Sequence, residues 1–322
     1  MLRDFFIHKH ITMSAIKGIH HVTAIAGKAR KNFDFYTRVM GLRFVKKTVN
    51  FDDPNTYHFY YGDEKGDPGT ILTFFPWEDI ATGRRGTHMA TEVGYSVPEG
   101  SIDFWLKRLE KENVIYNKPS SKFGEVYLTF LDPDGLKIEL TVPEQSDDRI
   151  PWETAEVTEE FATRGFHHVT LTLEDIQPTA DLLVSVFGWE LKKNHTNRYR
   201  FAGPDGQQGG FIDLVEAKGE TRGHVAGGSV HHVAFRVPDD AAQQQLREVL
   251  ENRGLHVTTV LDRKYFKSVY FREPGGVLFE LATDTPGFTV DEPLEELGTH
   301  LMLPPQYEAQ REEIVQKLVK LD

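Results

Sequence analysis

The sequence predicts an α+β fold in which four βαβββ modules pair into two open barrel-like domains. Short alternating strand patterns recur along the 322 residues, and a helical pattern follows the first strand of each repeat. Histidine or carboxylate side chains also recur at corresponding positions of these strands. One such module has too little core to be stable alone, so we expect the modules to bury their apolar faces in pairs.

The first two modules lie in the first half of the chain. Module one, about residues 17–77, has a first strand at 18–25, a helix over 29–39 that ends at Gly41, and strands at 43–50, 57–61 and 70–75. Module two, about 87–142, has a first strand at 91–97 and a helix over 101–112, with Ser101 as N-cap. Its closing hairpin, 126–131 and 136–142, turns at Asp132-Pro-Asp-Gly135.

The other two modules lie in the second half. Module three, about 164–217, has a first strand at 165–173, a helix over 178–186 and a last strand at 210–215. Module four, about 228–284, has a first strand at 230–237, a helix over 240–252 and a hairpin of 268–272 with 277–282. The polar segment 143–163 predicts a connection between halves 14–150 and 151–322. An amphipathic helix is expected over 305–321, packed on the body.

Composition excludes several classes of function. The net charge is −12, from 37 basic and 49 acidic residues without a basic stripe, which argues against nucleic acid and anionic membrane as partners. No apolar run approaches the ~18 residues of a membrane span. The absence of cysteine excludes disulfides and thiolate ligands and is compatible with a cytoplasmic protein. We expect residues 1–12, which lack the apolar core of a signal peptide, to be loose.

Alignment of the modules gives two columns of polar residues on strand faces opposite the apolar ones. The column in the first strands is His21, Glu92, His168 and His232. The column in the last strands is Thr73, Glu139, Asp213 and Glu280. One column alone would be read as a solvated sheet face. Two columns in which seven of eight residues can ligate a metal favour a metal site in a cavity between paired modules.

Four segments carry a resemblance to a known family: Gly18-Ile-His-His-Val-Thr23, Asp34-Phe-Tyr36, Val39-Met-Gly-Leu-Arg-Phe-Val-Lys46 and Pro68-Gly-Thr-Ile-Leu-Thr-Phe-Phe-Pro76. They resemble the hydroquinone-type ring-cleaving dioxygenases of the vicinal oxygen chelate superfamily, over residues 16–303. The resemblance implies that modules one and four share a barrel, and that His21, His232 and Glu280 bind Fe(II). It also implies functional groups around the metal at His20, His231, Thr23, Arg263 and Tyr270.

The expected function is therefore Fe(II)-dependent cleavage of a hydroquinone- or catechol-type ring. A small aromatic diol and dioxygen would be the substrates, and Mn or Zn could also occupy the site. His231 or His20 would transfer a proton, Tyr270 would hydrogen-bond a substrate oxygen, and Arg263 would stabilise negative charge. The sequence leaves open whether the chain forms a homo-oligomer.

Other pairings and functions remain open from the sequence. Sequential pairing of modules three and four would bring together His168, Asp213, His232 and Glu280, a fuller site that suits a glyoxalase I-like lyase or isomerase. Modules two and three would collect Glu92, Glu139, His168 and Asp213, which we interpret as a site that has lost its metal. A non-enzymatic binding protein of the bleomycin-resistance type would need none of these ligands.

Overall fold

The computed structural model describes residues 16–204 and 209–321, so the expectation for residues 1–12 lies outside the described part of the chain. Module one contains β1 (Ile19–Ala26), α1 (Ala29–Asp34), β2 (Arg43–Val49), β3 (Tyr57–Gly62) and β4 (Ile71–Pro76). Module two contains β5 (Met89–Ser96), α2 (Ile102–Lys111), β6 (Ser120–Lys122), β7 (Glu125–Leu131) and β8 (Lys137–Val142). Both modules have the predicted βαβββ order.

The second half repeats this order. Module three contains β9 (Phe166–Leu173), α3 (Gln177–Ser185), β10 (Glu190–His195), β11 (Arg198–Ala202) and β12 (Phe211–Glu216). Module four contains β13 (Ser229–Val237), α4 (Asp240–Asn252), β14 (Leu261–Asp262), β15 (Lys267–Arg272) and β16 (Leu278–Thr283). A last helix, α5 (Arg311–Lys317), follows a 3₁₀ turn at Pro305–Gln310.

The strands form two curled eight-stranded sheets, which confirms the predicted fold class. Sheet one has the order β14-β15-β16-β13-β1-β4-β3-β2, and sheet two has the order β10-β11-β12-β9-β5-β8-β7-β6. Sheet one therefore joins module one to module four, through the antiparallel pair β1–β13. Sheet two joins modules two and three through β5–β9. Sequential pairing of modules three and four is wrong. Each sheet contains strands from both halves of the chain. The predicted division into residues 14–150 and 151–322 stays a prediction.

Modules that are neighbours in sequence pack through their cores rather than through strand pairing. The Tyr36 hydroxyl, from module one, donates to Asp132 of module two at 2.9 Å, and the rings of Phe35 and Phe130 are 6.3 Å apart. In the second half, Phe187 of module three packs on Phe235 of module four at 4.9 Å between ring centroids. One buried apolar cluster consequently runs through both sheets. This core leaves the opposite, concave face of each sheet for polar side chains.

Two local expectations need correction. Ser101 stands at the N-cap position of α2, but its hydroxyl donates to the carbonyl of Pro98 instead of accepting from the helix. The C-terminal helix is shorter than predicted because a 3₁₀ turn precedes it. Its residues Ile314 and Leu318 pack against Val49 of sheet one, whereas Val315 is 51% exposed. Among the helices of the described residues, none combines the length and apolarity needed to cross a membrane.

Candidate metal centre

Three candidate ligands meet on the concave face of sheet one. His21 lies on β1, His232 on the adjacent β13 and Glu280 on β16, and all three are buried. Glu280 Oε2 is 3.3 Å from His21 Nε2 and 3.0 Å from His232 Nε2. One ligand atom from each residue can be chosen so that all lie within 4.8 Å of one another. The structure thus brings together residues more than two hundred positions apart in the chain.

The Glu280 carboxylate has one satisfied oxygen and one unsatisfied oxygen. Its Oε1 accepts a hydrogen bond from the Ser268 hydroxyl. Its Oε2 is buried and accepts no hydrogen bond from any part of the chain that the structure describes. Burial would raise the pKa of this carboxyl, but His21 and His232 beside it hold the pKa well below its ordinary value. The carboxylate is therefore ionised, and its unsatisfied oxygen points at two imidazole nitrogens.

The protonation of His21 follows from the histidine that precedes it. His20 Nε2 lies 3.1 Å from the carbonyl oxygen of Thr283, which can only accept, so this nitrogen carries the proton. Burial, and then the neighbouring His21, lower the pKa of His20 well below its ordinary value, so its Nδ1 is unprotonated. That Nδ1 accepts from His21 Nδ1 at 2.9 Å. A neutral His21 therefore carries its proton on Nδ1, which leaves Nε2 as the nitrogen that can bind a metal.

A second histidine pair adjoins His232. The Nδ1 atoms of His231 and His232 are 2.8 Å apart, matching the His20–His21 contact. No residue of the described chain hydrogen-bonds His231 Nε2, and the ring faces the cavity above the three candidate ligands. Burial, and then the neighbouring His232, lower the pKa of His231 to about 3. His231 is thus a neutral imidazole with one nitrogen available to a ligand in the cavity.

These contacts fit a divalent cation. His21 Nε2, His232 Nε2 and the buried, ionised Glu280 oxygen converge on one point, and a cation bound there would satisfy all three. Two histidines and one carboxylate on one side of an ion leave other coordination positions open, as in non-haem Fe(II) oxygenases. Mn(II) and Zn(II) also accept this ligand set. Metal binding by His21, His232 and Glu280 stays a prediction.

A cavity of about 350 Å³ opens above these three residues. Aromatic and apolar walls surround a few polar groups, which is typical of sites for small ring compounds. Its apolar lining consists of Phe51, Phe75, Trp77, Phe266 and Leu278. The polar lining consists of His21, Asn50, Asp52, His58, Tyr60, His231, His232, Arg263 and Tyr270.

Arg263 and Tyr270 form one polar wall of this cavity. The Arg263 guanidinium donates to Asp52 Oδ2 at 3.2 Å and lies 5.5 Å from the centre of the Tyr270 ring. Burial would lower the pKa of Arg263, but Tyr270 and Asp52 raise it above its ordinary value. Burial, and then Glu280, raise the pKa of the Tyr270 phenol. At neutral pH the wall therefore presents a fixed cation and a protonated phenol.

The other two predicted functional residues lie outside the cavity lining. His20 lines a separate cavity of about 180 Å³ on the other side of Phe266 and makes its hydrogen bonds to His21 and the Thr283 carbonyl. Its position suits orientation of His21 rather than contact with a substrate. Thr23 is buried beneath the cavity, with its hydroxyl 2.8 Å from that of Thr73.

The sequence interpretation missed several residues that line the cavity. Among them is His58, whose two ring nitrogens both lie within hydrogen-bond distance of a partner. Its Nδ1 is 2.9 Å from the Tyr60 hydroxyl, and its Nε2 is 2.9 Å from Thr73 Oγ1. The pattern Tyr57-His-Phe-Tyr-Tyr61 could have indicated it, since alternation places His58 and Tyr60 on one face and Phe59 on the other. No motif marked Asn50, Phe51 or Asp52, which lie in the loop after β2.

Sheet two carries an equivalent cluster that is filled by side-chain cations. Glu92, Glu139 and His168 again come within ligand distance of one another. Lys122 Nζ lies 2.7 Å from Glu139 Oε2 and 3.4 Å from His168 Nε2. His167 Nε2 lies 3.1 Å from a Glu125 oxygen, and the Nδ1 atoms of His167 and His168 are 2.9 Å apart, which matches the His20–His21 contact of sheet one. The ammonium thus occupies the place that a metal would take.

Further ion pairs balance the charge of this cluster. Arg198 contacts both Asp213 and Glu92, Lys137 contacts Glu92, and Arg200 contacts Asp213 and Glu125. Four carboxylates, Glu92, Glu125, Glu139 and Asp213, therefore face four cations, Lys122, Lys137, Arg198 and Arg200. Burial would raise the pKa values of Glu92 and Glu125, but the adjacent cationic and imidazole groups lower both to about 2. This balance supports the interpretation of a site that has lost its metal.

Comparison with known proteins places these two sheets in a family. The model of the Glyoxalase/Bleomycin resistance protein/Dioxygenase superfamily matches residues 18–140 and 165–281. The chain belongs to this superfamily. The two matched segments cover modules one with two and modules three with four, so the superfamily unit occurs twice.

Relatives in the superfamily cover nearly the whole chain. The provisionally named ring-cleaving dioxygenase MhqO of Bacillus subtilis (strain 168) is 47% identical over 307 residues, covering 95% of this chain and 96% of MhqO. The chlorohydroquinone/hydroquinone 1,2-dioxygenase of Sphingobium indicum is 35% identical over 311 residues, covering 94% of this chain and 96% of that enzyme.

Solved structures agree with the fold. A crystal structure of a provisionally named dioxygenase from Bacillus subtilis superposes with a TM-score of 0.91 at 45% identity, covering 95% of this chain and 98% of that chain. Glyoxalase I from Zea mays superposes with a TM-score of 0.64 at 16% identity, covering 88% and 97% of the two chains. The latter likeness is one of fold alone.

Proposed function

We propose that the chain is an Fe(II)-dependent dioxygenase that cleaves a hydroquinone-type ring, with catechols as the related substrate class. The observation that carries the proposal is the ionised, buried Glu280 oxygen that faces two imidazole nitrogens and has no other partner among the described residues. His21, His232 and Glu280 would hold the ion. The relative named for hydroquinone 1,2-cleavage supports the substrate class. A bound Fe(II) would supply the redox chemistry that allows the electron-rich ring to react with dioxygen.

The cavity walls would position the ring. An aromatic diol is flat and apolar on both faces, and Phe75, Trp77 and Phe266 supply aromatic surface on which such a ring can pack. Two polar residues of the lining, His231 and Tyr270, adjoin His232. A ring packed on the aromatic walls would therefore bring a hydroxyl-bearing carbon close to the candidate metal centre.

Three side chains of the cavity would handle charge and protons. With His232 Nε2 as a ligand, His232 Nδ1–H would donate to His231 Nδ1, so a neutral His231 would carry its proton on Nε2 and could donate it to a substrate oxygen in the cavity. Arg263, held by Asp52, stabilises negative charge on the ring oxygens. Tyr270 keeps its proton and donates a hydrogen bond to a substrate oxygen.

The structure favours this proposal over a glyoxalase I-like lyase. The glyoxalase interpretation needs His168 and Asp213 beside His232 and Glu280, but the two pairs lie in different sheets. Lys122 and Arg200 already contact His168 and Asp213. A binding protein of the bleomycin-resistance type would use the same cavity without a metal.

The test is anaerobic reconstitution with Fe(II), followed by oxygen uptake and ring-cleavage assays on a panel of hydroquinones and catechols. Uptake of dioxygen that matches the amount of ring cleaved is the expected result. Tight binding of aromatic diols without turnover would favour the binding protein. Turnover of hemithioacetals without dioxygen would favour the glyoxalase-like function.

A further inference from the structure

The two clusters of candidate ligands have the same strand register. In each sheet, a histidine and a carboxylate of two different strands lie opposite one residue of the strand between them, Ala234 in sheet one and Gly94 in sheet two. The third member of each cluster lies two residues before that residue. The equivalent pairs are His21 with His168, His232 with Glu92, and Glu280 with Glu139. Sheet two therefore repeats the positions of the candidate metal centre, with one histidine replaced by a carboxylate.

A hairpin beside each cluster carries a cation at the same position. Arg263 precedes the tight turn between β14 and β15, and Lys122 precedes the tight turn between β6 and β7. The first residue within each turn has a left-handed backbone, with φ of 68° at Lys264 and 54° at Phe123. The register from each turn to the carboxylate of its cluster is also the same. Arg263 and Lys122 are therefore structurally equivalent.

Lys122 extends from this position into the middle of its cluster. Its Nζ lies 2.7 Å from a Glu139 oxygen, 3.4 Å from His168 Nε2 and 3.9 Å from a Glu92 oxygen. An arginine side chain is longer than a lysine side chain, and the two start from equivalent backbone positions. Arg263 consequently has the length to reach the corresponding point in sheet one.

A loop of module one holds Arg263 away from that point. The loop between β2 and β3 spans residues 50–56. From this loop, Asp52 Oδ2 accepts a hydrogen bond from Arg263 at 3.2 Å, and the centre of the Phe51 ring lies 5.7 Å from the guanidinium. The corresponding strands of sheet two, β10 and β11, are joined by residues 196 and 197 alone. That short turn has no counterparts of Phe51 and Asp52.

A side-chain cation and a metal ion cannot share one of these clusters. In sheet one, the buried Glu280 Oε2 faces two imidazoles and has no other partner among the described residues. A guanidinium bonded to this oxygen would take up a ligand atom, and its positive charge would repel a divalent ion at such a short distance. The Lys122 ammonium already has this effect at Glu139. The side chain at the equivalent position thus decides whether a cluster is open to a metal.

We propose that this cation position determines which sheet binds a metal ion. Lys122 closes the cluster of sheet two, and Asp52 is a positioning residue that keeps the cluster of sheet one open by holding Arg263 on the cavity wall. Removal of Lys122 opens a second site in sheet two, where one imidazole and two carboxylates suit Zn(II), Mn(II) or Fe(II). The part of this inference that concerns sheet one rests on the proposed function.

The test for sheet two is Zn²⁺ binding to the full chain, measured by calorimetry and metal analysis. It uses His21→Ala as background, so that sheet one lacks a ligand. In that background Lys122→Gly should gain a single Zn²⁺ equivalent, whereas Lys122→Arg, which keeps the positive charge, should gain none. Addition of His168→Ala to the glycine variant should remove the ion again.

Propylammonium gives a further readout in sheet two, because it can replace the missing lysine side chain. It should compete with Zn²⁺ in the Lys122→Gly variant, and its presence during refolding guards against misfolding. Circular dichroism after its removal confirms that the variant is folded. A folded glycine variant that binds no Zn²⁺, or one that keeps its Zn²⁺ after His168→Ala, would overturn the inference.

The test for sheet one reads Zn²⁺ affinity and the position of Arg263. Asp52→Ala should weaken Zn²⁺ binding roughly two- to five-fold, the effect of an exposed ion pair, and Arg263→Gln added to it should restore the affinity. The loss should persist at about 1 M NaCl, where charges farther apart than roughly 3 Å are screened. In a crystal structure of metal-free Asp52→Ala, the guanidinium should contact Glu280.

Two results in sheet one separate this inference from the proposed function. A guanidinium that stays on the cavity wall in metal-free Asp52→Ala, with unchanged Zn²⁺ affinity, would refute the role of Asp52. An unsubstituted chain that binds no divalent ion would refute the proposed function, and the gain or absence of a site in Lys122→Gly then decides the inference for sheet two.

Discussion

Tyr270 lies directly opposite Glu280 on the antiparallel strands β15 and β16. The Tyr270 ring is also 5.5 Å from the His232 ring, so the phenol adjoins two of the three candidate ligands. Its side chain lines the cavity, whereas Glu280 lies beneath it. A residue in this position can hydrogen-bond a substrate without serving as a ligand.

Tyr270→Phe should therefore weaken catalysis and leave metal binding intact. Loss of one hydrogen bond to a charged oxygen costs about 1.5–3 kcal/mol, or roughly a ten- to hundred-fold drop in kcat/KM. Iron content and oxygen uptake should be measured on one preparation, with Tyr116→Phe in module two as a control that leaves both unchanged. Unchanged kinetics would make Tyr270 a structural aromatic, and loss of iron would make it a ligand.

Loss of one predicted ligand should abolish iron binding. His21→Ala removes one of the three predicted ligands and leaves one histidine and one carboxylate. The matched variant is His168→Ala, the corresponding histidine of sheet two, which should keep its iron. Metal analysis after anaerobic reconstitution compares the two. Equal iron loss in both variants would show that sheet two also contributes to metal binding.

Lys122 should be important for stability rather than for activity. It is 10% exposed and contacts buried Glu139, so Lys122→Met leaves a buried carboxylate without its cation. The expected loss is about 3–5 kcal/mol in the free energy of unfolding. Denaturant unfolding measures it, with Lys111→Met as control, because Lys111 forms an exposed ion pair expected to contribute at most about 1 kcal/mol. Equal effects of the two substitutions would refute a structural role for Lys122.

Stability should fall in acid because of the same cluster. The pKa values of Glu92 and Glu125 are lowered to about 2 in the folded chain, below the ordinary carboxyl range. A lowered folded-state pKa contributes stability that is present above about pH 4.5 and is lost as pH falls towards 2. Denaturant midpoints at several values between pH 6 and pH 2.5 should decline accordingly.

Substitution can assign this acid sensitivity. Glu125→Gln, which cannot ionise, should flatten the decline, whereas Glu156→Gln should not, because the Glu156 side chain is 54% exposed. Identical pH profiles for the two variants would show that the charge cluster of sheet two is not the cause.

Local sequence patterns determined the modules and their chemistry. Strand alternation distinguished the polar face that carries His21, His232 and Glu280 from the apolar face, because side chains in a strand alternate with a period of two. The helix of module four has the predicted bounds, Asp240–Asn252. The resemblance to ring-cleaving dioxygenases also predicted that modules one and four share a sheet, which residue patterns alone left open.

Tertiary structure decided what depends on contacts between distant segments. Which modules share a sheet is decided by pairing between strands distant in sequence, β1 with β13 and β5 with β9, and not by the period of any one strand. Of the two similar ligand clusters, the one in sheet two is closed by Lys122, which comes from a short strand with no distinctive pattern. His58 likewise gained its partners only when β3, β4 and β1 became neighbours, since hydrogen-bond geometry is fixed by strand register.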